Sequence, residues 1–80
     1  MFFVYALYSV KYDKIYIGFT SNLEQRLIAH NDPDNKGYTG RFMPWEIVYT
    51  EQFENKKEAM LREKQLKSFR GRAFIRSLIK

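Results

Sequence analysis

The chain opens with two apolar runs that predict a β-hairpin. Residues 2–10 and 15–19 are rich in aromatic and β-branched side chains, which favour strands, and the polar segment 11–14 lies between them. Two strand-forming runs that are joined by a short polar segment are typical of a hairpin. We therefore expect the first two elements to be adjacent antiparallel strands.

The register of this hairpin decides where its tyrosines lie. Pairing of Val10 with Ile15 would leave a loop with an even number of residues. Because side chains alternate between the two faces of a strand, Tyr5 and Tyr16 would then share one face of the sheet. A loop with an odd number of residues, or a bulge, would separate them.

A capping-box sequence predicts the first helix. Ser21 and Glu24 have the spacing at which each side chain can bond the other's backbone amide, so we expect a helix over residues 22–30. Arg26 and His30 are one turn apart and would be neighbours on a face outside the apolar stripe. The apolar positions, which would face the core, are Leu23, Leu27 and Ile28.

A polar stretch separates this helix from a third strand. Residues 31–44 contain Asn, Asp, Gly, Pro and Thr with little apolar periodicity, which predicts a surface loop. A loop of this length is often functional. Residues 45–51 alternate in the manner of a strand that is covered on at least one face.

The most regular helical pattern follows. Asn55 is a good N-cap, Glu58 stands three residues later, and residues 56–69 are mostly good helix formers. Gly71 predicts the end of this helix, and apolar residues at helical spacing within 74–79 predict a short last helix. The apolar positions expected to form the buried stripe of the long helix are Ala59, Met60, Leu66 and Phe69.

Together these elements predict one α+β domain over residues 1–80. The order ββαβαα predicts a small central antiparallel three-stranded sheet flanked by helices. With 45% hydrophobic and 18% aromatic residues, 80 residues suffice for one core but not for two. The chain has no cysteine, which suits a reducing cytoplasm. We expect neither secretion nor a membrane span, since the apolar stretch near the start is far shorter than the roughly 20 residues of a span.

The charge of the chain favours a polyanionic partner. Lys and Arg outnumber Asp and Glu by 14 to 9, which gives a net charge of +5 and a pI near 9.6. Such a surface would attract nucleic acid, although a basic balance alone also suits an ordinary globular domain. The residues that we expect to contact backbone phosphates are Lys36, Arg41, Lys67, Arg70 and Arg72.

Four short motifs resemble those of the GIY-YIG nuclease family. Tyr16-Ile17-Gly18 matches the second of its two tripeptides, and Phe3-Val4-Tyr5 stands in place of the first, Gly-Ile-Tyr. The resemblance runs from residue 2 to about residue 67 and is closest to small stand-alone members. These members are similar to the cleavage domain of the bacterial nucleotide-excision-repair nuclease. The other two matches lie on the helices: Arg26 with His30 on the first, and Glu63 on the second.

The resemblance implies a metal-dependent endonuclease that hydrolyses phosphodiester bonds in DNA, in repair or recombination. It implies that Glu63 binds Mg²⁺ or Mn²⁺ and that Arg26 neutralises the scissile phosphate. Tyr16 would be the base, Tyr5 a positioning group, and His30 a proton relay or phosphate ligand. These residue types suit the chemistry, because Mg²⁺ often takes only one or two carboxylates and a guanidinium matches a phosphate.

Each candidate also has a structural explanation. Glu58 is a second acid near Glu63, but it already has a capping role. Glu63 paired with Lys67, four residues later, would be an ordinary feature of a helix surface. A lone histidine near a helix end, such as His30, is at least as often a structural hydrogen-bonding group as a catalyst.

The sequence is therefore compatible with three functions: a nuclease, a non-catalytic nucleic-acid-binding module with the same fold, and a structural or protein-interaction domain that docks through its aromatic residues. A single pocket shared by the two tyrosines, Arg26 and Glu63 would favour the nuclease. Scattered positions for these side chains would favour the binding module. Binding without any salt dependence would favour the interaction domain.

Overall fold

The first strand of the chain is the middle strand of the sheet. The computed structural model describes residues 1–79. In it, β1 (Phe2–Ser9) pairs antiparallel with β2 (Lys14–Thr20) on one side and with β3 (Glu46–Phe53) on the other. The strand order is β2-β1-β3, which confirms the predicted three-stranded antiparallel sheet.

Helices follow the strands in the predicted order ββαβαα. They are α1 (Leu23–His30), α2 (Lys56–Leu66) and α3 (Phe69–Ser77), and a short 3₁₀ helix (Tyr38–Phe42) lies within the predicted loop between α1 and β3. The α+β class is therefore confirmed. Among the described residues, no helix has the length and apolar character that crossing a membrane requires.

The side chains of β1 alternate between two apolar clusters. Val4 and Ala6 pack on one side of the sheet, and Tyr5 and Leu7 pack on the other. We call the first the aliphatic cluster, whose buried members are Val4, Ala6, Ile15, Ile17, Ala59, Leu66 and Ile75. We call the second the aromatic cluster, whose members are the buried Tyr5, Leu7 and Trp45 with Tyr16, Leu23, Leu27, Phe42 and Met43 at its edge.

The hairpin register differs from the predicted one by two residues. Ser9, and not Val10, ends β1, and it pairs with Lys14. The loop nevertheless has an even number of residues, so Tyr5 and Tyr16 do share one face of the sheet. The predicted pairing was wrong, but the predicted face of the tyrosines is confirmed.

A distant helix fixes this loop. Arg76 on α3 donates to Asp13 Oδ1 at 2.6 Å and to the Asp13 carbonyl oxygen at 3.1 Å. Asp13 has a positive φ of 55°, and its N–H donates to the Ser9 carbonyl oxygen at 2.7 Å. The turn thus contacts a residue 63 positions away in the chain, which local sequence patterns do not reveal.

The first helix begins one residue later than predicted. Asn22, and not Ser21, is the N-cap, and its side chain accepts a hydrogen bond from the Gln25 N–H at 3.1 Å. Ile28 was predicted to be buried but is 59% exposed. His30 is buried instead, because α1 turns that side chain towards the aromatic cluster.

The predicted long helix over residues 56–69 is in fact two helices. α2 ends at Leu66, and the Ser68 side chain caps α3 by accepting from the Gly71 N–H at 3.2 Å. Gly71 therefore lies inside α3 and is not a helix stop. A Cβ at this position would stand 2.4 Å from Leu66 Cα, so glycine allows the two helices to meet closely. Two predicted members of the buried stripe are exposed: Met60 and Phe69.

Candidate active site

A pocket opens along the β2 edge of the sheet, between that edge and the helices. Its volume is about 470 Å³. Tyr5, Tyr16, Arg26 and Glu63 all line it, although they come from four different elements. The structure thus brings together the four side chains whose clustering would favour a nuclease over a binding module. The remaining lining residues are Phe2, Gly18, Phe19, Thr20, Ser21 and Lys56.

The absence of a side chain at Gly18 makes room for the phenol of Tyr5. Tyr5 and Gly18 are directly paired across β1 and β2, so they face the same side of the sheet. A Cβ on Gly18 would lie 2.6 Å from Tyr5 Oη, which is closer than Cβ atoms come to other side chains in real structures. This glycine is the last letter of the matched tripeptide, and its role here is a close approach rather than an unusual backbone angle.

The tyrosines form an aromatic group with His30. The ring centroids of Tyr5 and Tyr16 are 6.4 Å apart, and those of Tyr16 and His30 are 4.8 Å apart. His30 does not line the pocket; its Nε2 lies 3.0 Å from Tyr5 Oη, and its Nδ1 lies 3.0 Å from Thr39 Oγ1. The structure therefore places His30 behind a candidate catalytic residue, in contact with it.

Burial keeps both members of this pair neutral. Burial is the main cause that raises the pKa of the Tyr5 phenol, and Tyr16 and Glu63 raise it further against the opposing effect of Arg26. Burial also lowers the pKa of the His30 imidazole, and the nearby Arg26 guanidinium lowers it further. A phenol that resists ionisation is a poor base but a good hydrogen-bond donor.

Arg26 and Glu63 bring opposite charges to the pocket. Arg26 is exposed on α1, and within residues 1–79 no carboxylate lies within ion-pair distance of its guanidinium. The Glu63 side chain is 21% exposed, and its Oε2 lies 3.3 Å from Lys67 Nζ. Such a pair contributes at most about 1 kcal/mol to stability, so it does not by itself explain a half-buried carboxylate in a pocket.

The second acid of α2 has a different environment. Glu58 is exposed and does not line the pocket. Its N–H donates to Asn55 Oδ1 at 2.9 Å, and its Oε1 accepts from Asn55 Nδ2 at 3.0 Å. The capping role that the sequence indicated for Glu58 is therefore present, and the two acids are separated by position and by environment.

The donor chemistry of the pocket fits a hydrated divalent cation. Among residues 1–79 there is no cluster of three or more His, Asp or Glu side chains. Glu63 is the carboxylate that faces the pocket. Mg²⁺ keeps several waters and takes its other oxygen ligands from a substrate phosphate, so one carboxylate is a sufficient protein ligand.

Lys56 is a pocket residue that the sequence analysis missed. It is the first residue of α2 and stands seven positions before Glu63, which is two helical turns along the same face. That spacing could have identified it once Glu63 was chosen. The basic residues proposed for phosphate contacts all lie outside the pocket lining and are exposed: Lys36, Arg41, Lys67, Arg70 and Arg72.

Fold and pocket together define a small α+β domain that gathers two tyrosines, an arginine and a glutamate at a sheet edge. Residues 1–73 match the family model of the GIY-YIG catalytic domain. The chain therefore belongs to the GIY-YIG family, as its motifs indicated. This domain type indicates an endonuclease family that binds nucleic acid and generally depends on a divalent metal.

The relatives of the chain are small proteins of the same kind. A UPF0213 protein of Clostridium perfringens is 45% identical over 67 residues, which cover 84% of this chain and 71% of that protein. A UPF0213 protein of Natronomonas pharaonis is 39% identical over 66 residues, with coverage of 82% and 76%. The solution NMR structure of a UPF0213 protein from Bacillus halodurans has a TM-score of 0.56 and 32% identity, and covers 98% of this chain and 85% of that one.

Proposed function

We propose that this protein is a metal-dependent endonuclease that hydrolyses phosphodiester bonds in DNA. The observation that supports the proposal most directly is the single pocket lined by Tyr5, Tyr16, Arg26 and Glu63. Hydrolysis of a phosphodiester needs an activated water, neutralisation of charge on the phosphorus centre and help for the leaving oxygen. The pocket contains a candidate group for each requirement.

Two cations would receive the scissile phosphate. Arg26 presents an unpaired guanidinium, whose planar fork matches two phosphate oxygens. Lys56 adds a second positive charge from the start of α2. As negative charge grows on the phosphorus centre in the transition state, these cations stabilise it more than they stabilise the ground state.

The tyrosines take different roles in this proposal. Tyr16, after its own hydroxyl proton has left to solvent, takes the proton of the attacking water, and Tyr5 donates a hydrogen bond to a phosphate oxygen. The raised pKa of Tyr5 supports this division, because a buried phenol donates well and accepts a proton poorly. His30 contacts Tyr5 and not the pocket, so we assign it a positioning role.

Glu63 would hold Mg²⁺ or Mn²⁺ against the scissile phosphate. Such an ion, when bound, supplies electrostatic stabilisation of the leaving oxygen and lowers the pKa of water. In the free protein Glu63 bonds to Lys67, which also neutralises part of the negative charge that would otherwise repel DNA. Lys67 is thus placed to contact phosphate once Glu63 has another cation.

Binding would depend mainly on phosphate contacts and hence on salt. Release of counterions by basic side chains makes affinity fall steeply with ionic strength. We expect this behaviour from the five exposed basic residues named above. DNA is our choice of substrate because of the family resemblance; the cellular role would then be repair or recombination, in the cytoplasm.

The test compares Glu63→Gln with Glu58→Gln. The first change keeps size and helix propensity but removes the charge that would hold a cation, so cleavage should fall by a factor of about 10² or more while folding is retained. Binding should be equal or tighter, since a carboxylate near phosphates is repulsive. Cleavage is measured on plasmid, branched and single-stranded DNA with Mg²⁺ or Mn²⁺, and with EDTA as control.

Glu58→Gln is the matched control on the same helix. It removes the same charge outside the pocket, so it should leave cleavage within a small factor of the wild type. Equal activity in the wild type and Glu63→Gln would refute the metal site. A wild type that binds with steep salt dependence but cuts none of the substrates would instead support the non-catalytic binding module.

A further inference from the structure

A chain of buried hydrogen bonds runs from the candidate active site to the 3₁₀ helix. Tyr5 Oη contacts His30 Nε2, His30 Nδ1 contacts Thr39 Oγ1, and each distance is 3.0 Å. Asn35 Nδ2 then donates to Thr39 Oγ1 at 2.8 Å. Tyr5, His30 and Thr39 are all buried, so the direction of each bond matters energetically.

The backbone fixes the orientation of the Asn35 amide. The Gly37 N–H can only donate, and it lies 2.9 Å from Asn35 Oδ1, so that atom is the amide oxygen. Nδ2 is therefore on the other side, where it donates to Thr39 Oγ1 and to the His30 carbonyl oxygen at 3.2 Å. Thr39 is the acceptor in its bond with Asn35.

Tyr5, His30 and Thr39 have three polar protons in all but make only two hydrogen bonds with one another. Neutral His30 carries one N–H, and Thr39 and Tyr5 carry one O–H each, but only two hydrogen bonds join the three side chains. Either Tyr5 or Thr39 must therefore donate its hydroxyl proton to a group outside this set. Among residues 1–79, the Thr39 hydroxyl has no acceptor within hydrogen-bonding distance other than His30 Nδ1.

At the other end of this series of hydrogen bonds, Tyr5 faces an open pocket. Tyr5 lines the pocket, where water or a phosphate oxygen can accept its proton. If the Thr39 hydroxyl proton had no acceptor, a buried donor would be left unsatisfied, which is unfavourable, whereas the Tyr5 hydroxyl proton has an acceptor when water or a ligand occupies the pocket. Thr39 is also anchored by its own backbone, because Trp45 Nε1 donates to the Thr39 carbonyl oxygen at 2.7 Å.

We infer that Asn35 and Thr39 are positioning residues that hold His30 in its Nε2–H tautomer. Thr39 donates to Nδ1, His30 donates from Nε2 to Tyr5 Oη, and Tyr5 keeps its hydroxyl proton for a ligand in the pocket. This rests on the proposed function only where it assigns a role: Tyr5 is a donor to a phosphate oxygen, and the base must be another group. The opposite tautomer would make Tyr5 an acceptor towards the pocket.

The first test is a direct measurement of the tautomer. A long-range ¹H–¹⁵N correlation spectrum of protein labelled in its histidine ring distinguishes a protonated ring nitrogen from an unprotonated one. The chain has a single histidine, so assignment is immediate. We expect a protonated Nε2 and an unprotonated Nδ1 near pH 7.5. A protonated Nδ1 with an unprotonated Nε2 would overturn the inference.

The second test reverses the direction of the hydrogen bonds by a substitution at Asn35. Asn35→Asp places an oxygen where Nδ2 donates, so the bond to the His30 carbonyl oxygen is lost and Thr39 should donate to the carboxylate and accept from Nδ1–H. The spectrum should then show the opposite tautomer, and single-turnover cleavage should fall by roughly tenfold or more. An unchanged spectrum would show that Asn35 and Thr39 do not set the tautomer.

The double variant Asn35→Asp with Thr39→Val separates the hydroxyl from the added charge. It keeps the carboxylate but removes the hydroxyl that transmits the reversal, so the carboxylate should no longer hold His30 in the Nδ1–H form. Persistence of the reversed tautomer would mean that the charge acts directly, and would overturn the role of Thr39. Thr39→Ser keeps the hydroxyl and should match the wild type.

The assignment of the tautomer and the proposed function can be refuted independently. The spectra are recorded on free protein without nucleic acid or metal. A wild type without nuclease activity that shows the Nε2–H form refutes the proposed function alone. An active nuclease that shows the Nδ1–H form refutes this inference alone.

Discussion

The two sides of the sheet differ in what they bury. The aliphatic cluster consists of aliphatic side chains from the strands and from α2 and α3. The aromatic cluster lies beside the buried polar residues, which are Ser9, Thr20, His30 and Thr39. Among residues 1–79, every buried side-chain nitrogen or oxygen has a hydrogen-bond partner. One side of this small domain can therefore supply stability by packing, while the other holds polar groups in fixed directions.

The largest effect is expected for Leu66→Ala, which tests the aliphatic cluster. Leu66 is fully buried, so its truncation should lower the free energy of unfolding by about 2–5 kcal/mol. Cleavage per folded molecule should stay unchanged. Urea unfolding of this variant is compared with Leu61→Ala, an exposed leucine on the same helix, for which a change of at most about 0.5 kcal/mol is expected. Similar losses in both variants would contradict the assigned core.

Arg26→Gln should slow cleavage and leave stability nearly unchanged. Arg26 is exposed, so stability should change by no more than about 0.5 kcal/mol. Loss of its charge from the pocket should reduce the cleavage rate by a factor of about 10²–10³. Arg41→Gln removes an equal charge outside the pocket and should weaken binding without changing single-turnover cleavage at saturating DNA. If both variants cut equally slowly, Arg26 would act only through net charge.

Two glycines, one on each side of the sheet, test the difference between the aliphatic and aromatic clusters. Gly71→Ala forces a Cβ against the Leu66 backbone and should cost about 1–3 kcal/mol of stability, measured by thermal unfolding. Gly18→Ala forces a Cβ against the Tyr5 phenol and should slow cleavage by roughly tenfold or more at a smaller cost in stability. Gly37→Ala, where a Cβ meets only an ordinary contact at 3.4 Å, is the control. Equal effects of the first two changes on both properties would show that the sides are not separable.

The smallest effect concerns pH. The pKa of His30 is lower in the folded protein than its ordinary value of about 6.5, so the folded state binds fewer protons than the unfolded state below that pH. Stability should therefore be full above about pH 6.5 and decline as the pH falls below it, by at most about 1.4 kcal/mol per pH unit. His30→Gln should remove this part of the dependence in a series of melting temperatures between pH 5 and pH 8. An unchanged series would show that His30 does not cause the decline.

The sequence predicted the elements better than it predicted their ends. Aromatic and β-branched residues identified the first two strands, and alternation identified the third. The even loop placed Tyr5 and Tyr16 on one face, although the assumed pairing of Val10 with Ile15 was wrong. The cap at Asn55 was also correct, because Asn and Glu58 satisfy each other locally. Features that depend on neighbours in sequence could therefore be predicted from the sequence.

Features that depend on distant contacts were not. Gly71 resembles a helix stop in sequence, but it is required by the approach of α3 to Leu66. The burial of His30 and Thr39 depends on how the 3₁₀ helix packs against α1, and no local pattern in residues 31–44 indicates it. The pocket itself was predicted only through family resemblance, because helical spacing cannot tell which sheet edge a helix will meet.

The central position of β1 determines where the chain can change in length during evolution. Because Val4 and Ala6 face one cluster and Tyr5 and Leu7 face the other, inserting or deleting one residue in this strand would exchange the two sets. Tyr5 would enter the aliphatic packing, and Val4 or Ala6, depending on the direction of the shift, would replace it over Gly18. Insertions and deletions should thus be excluded from β1 while remaining tolerable at exposed positions such as residues 32–34.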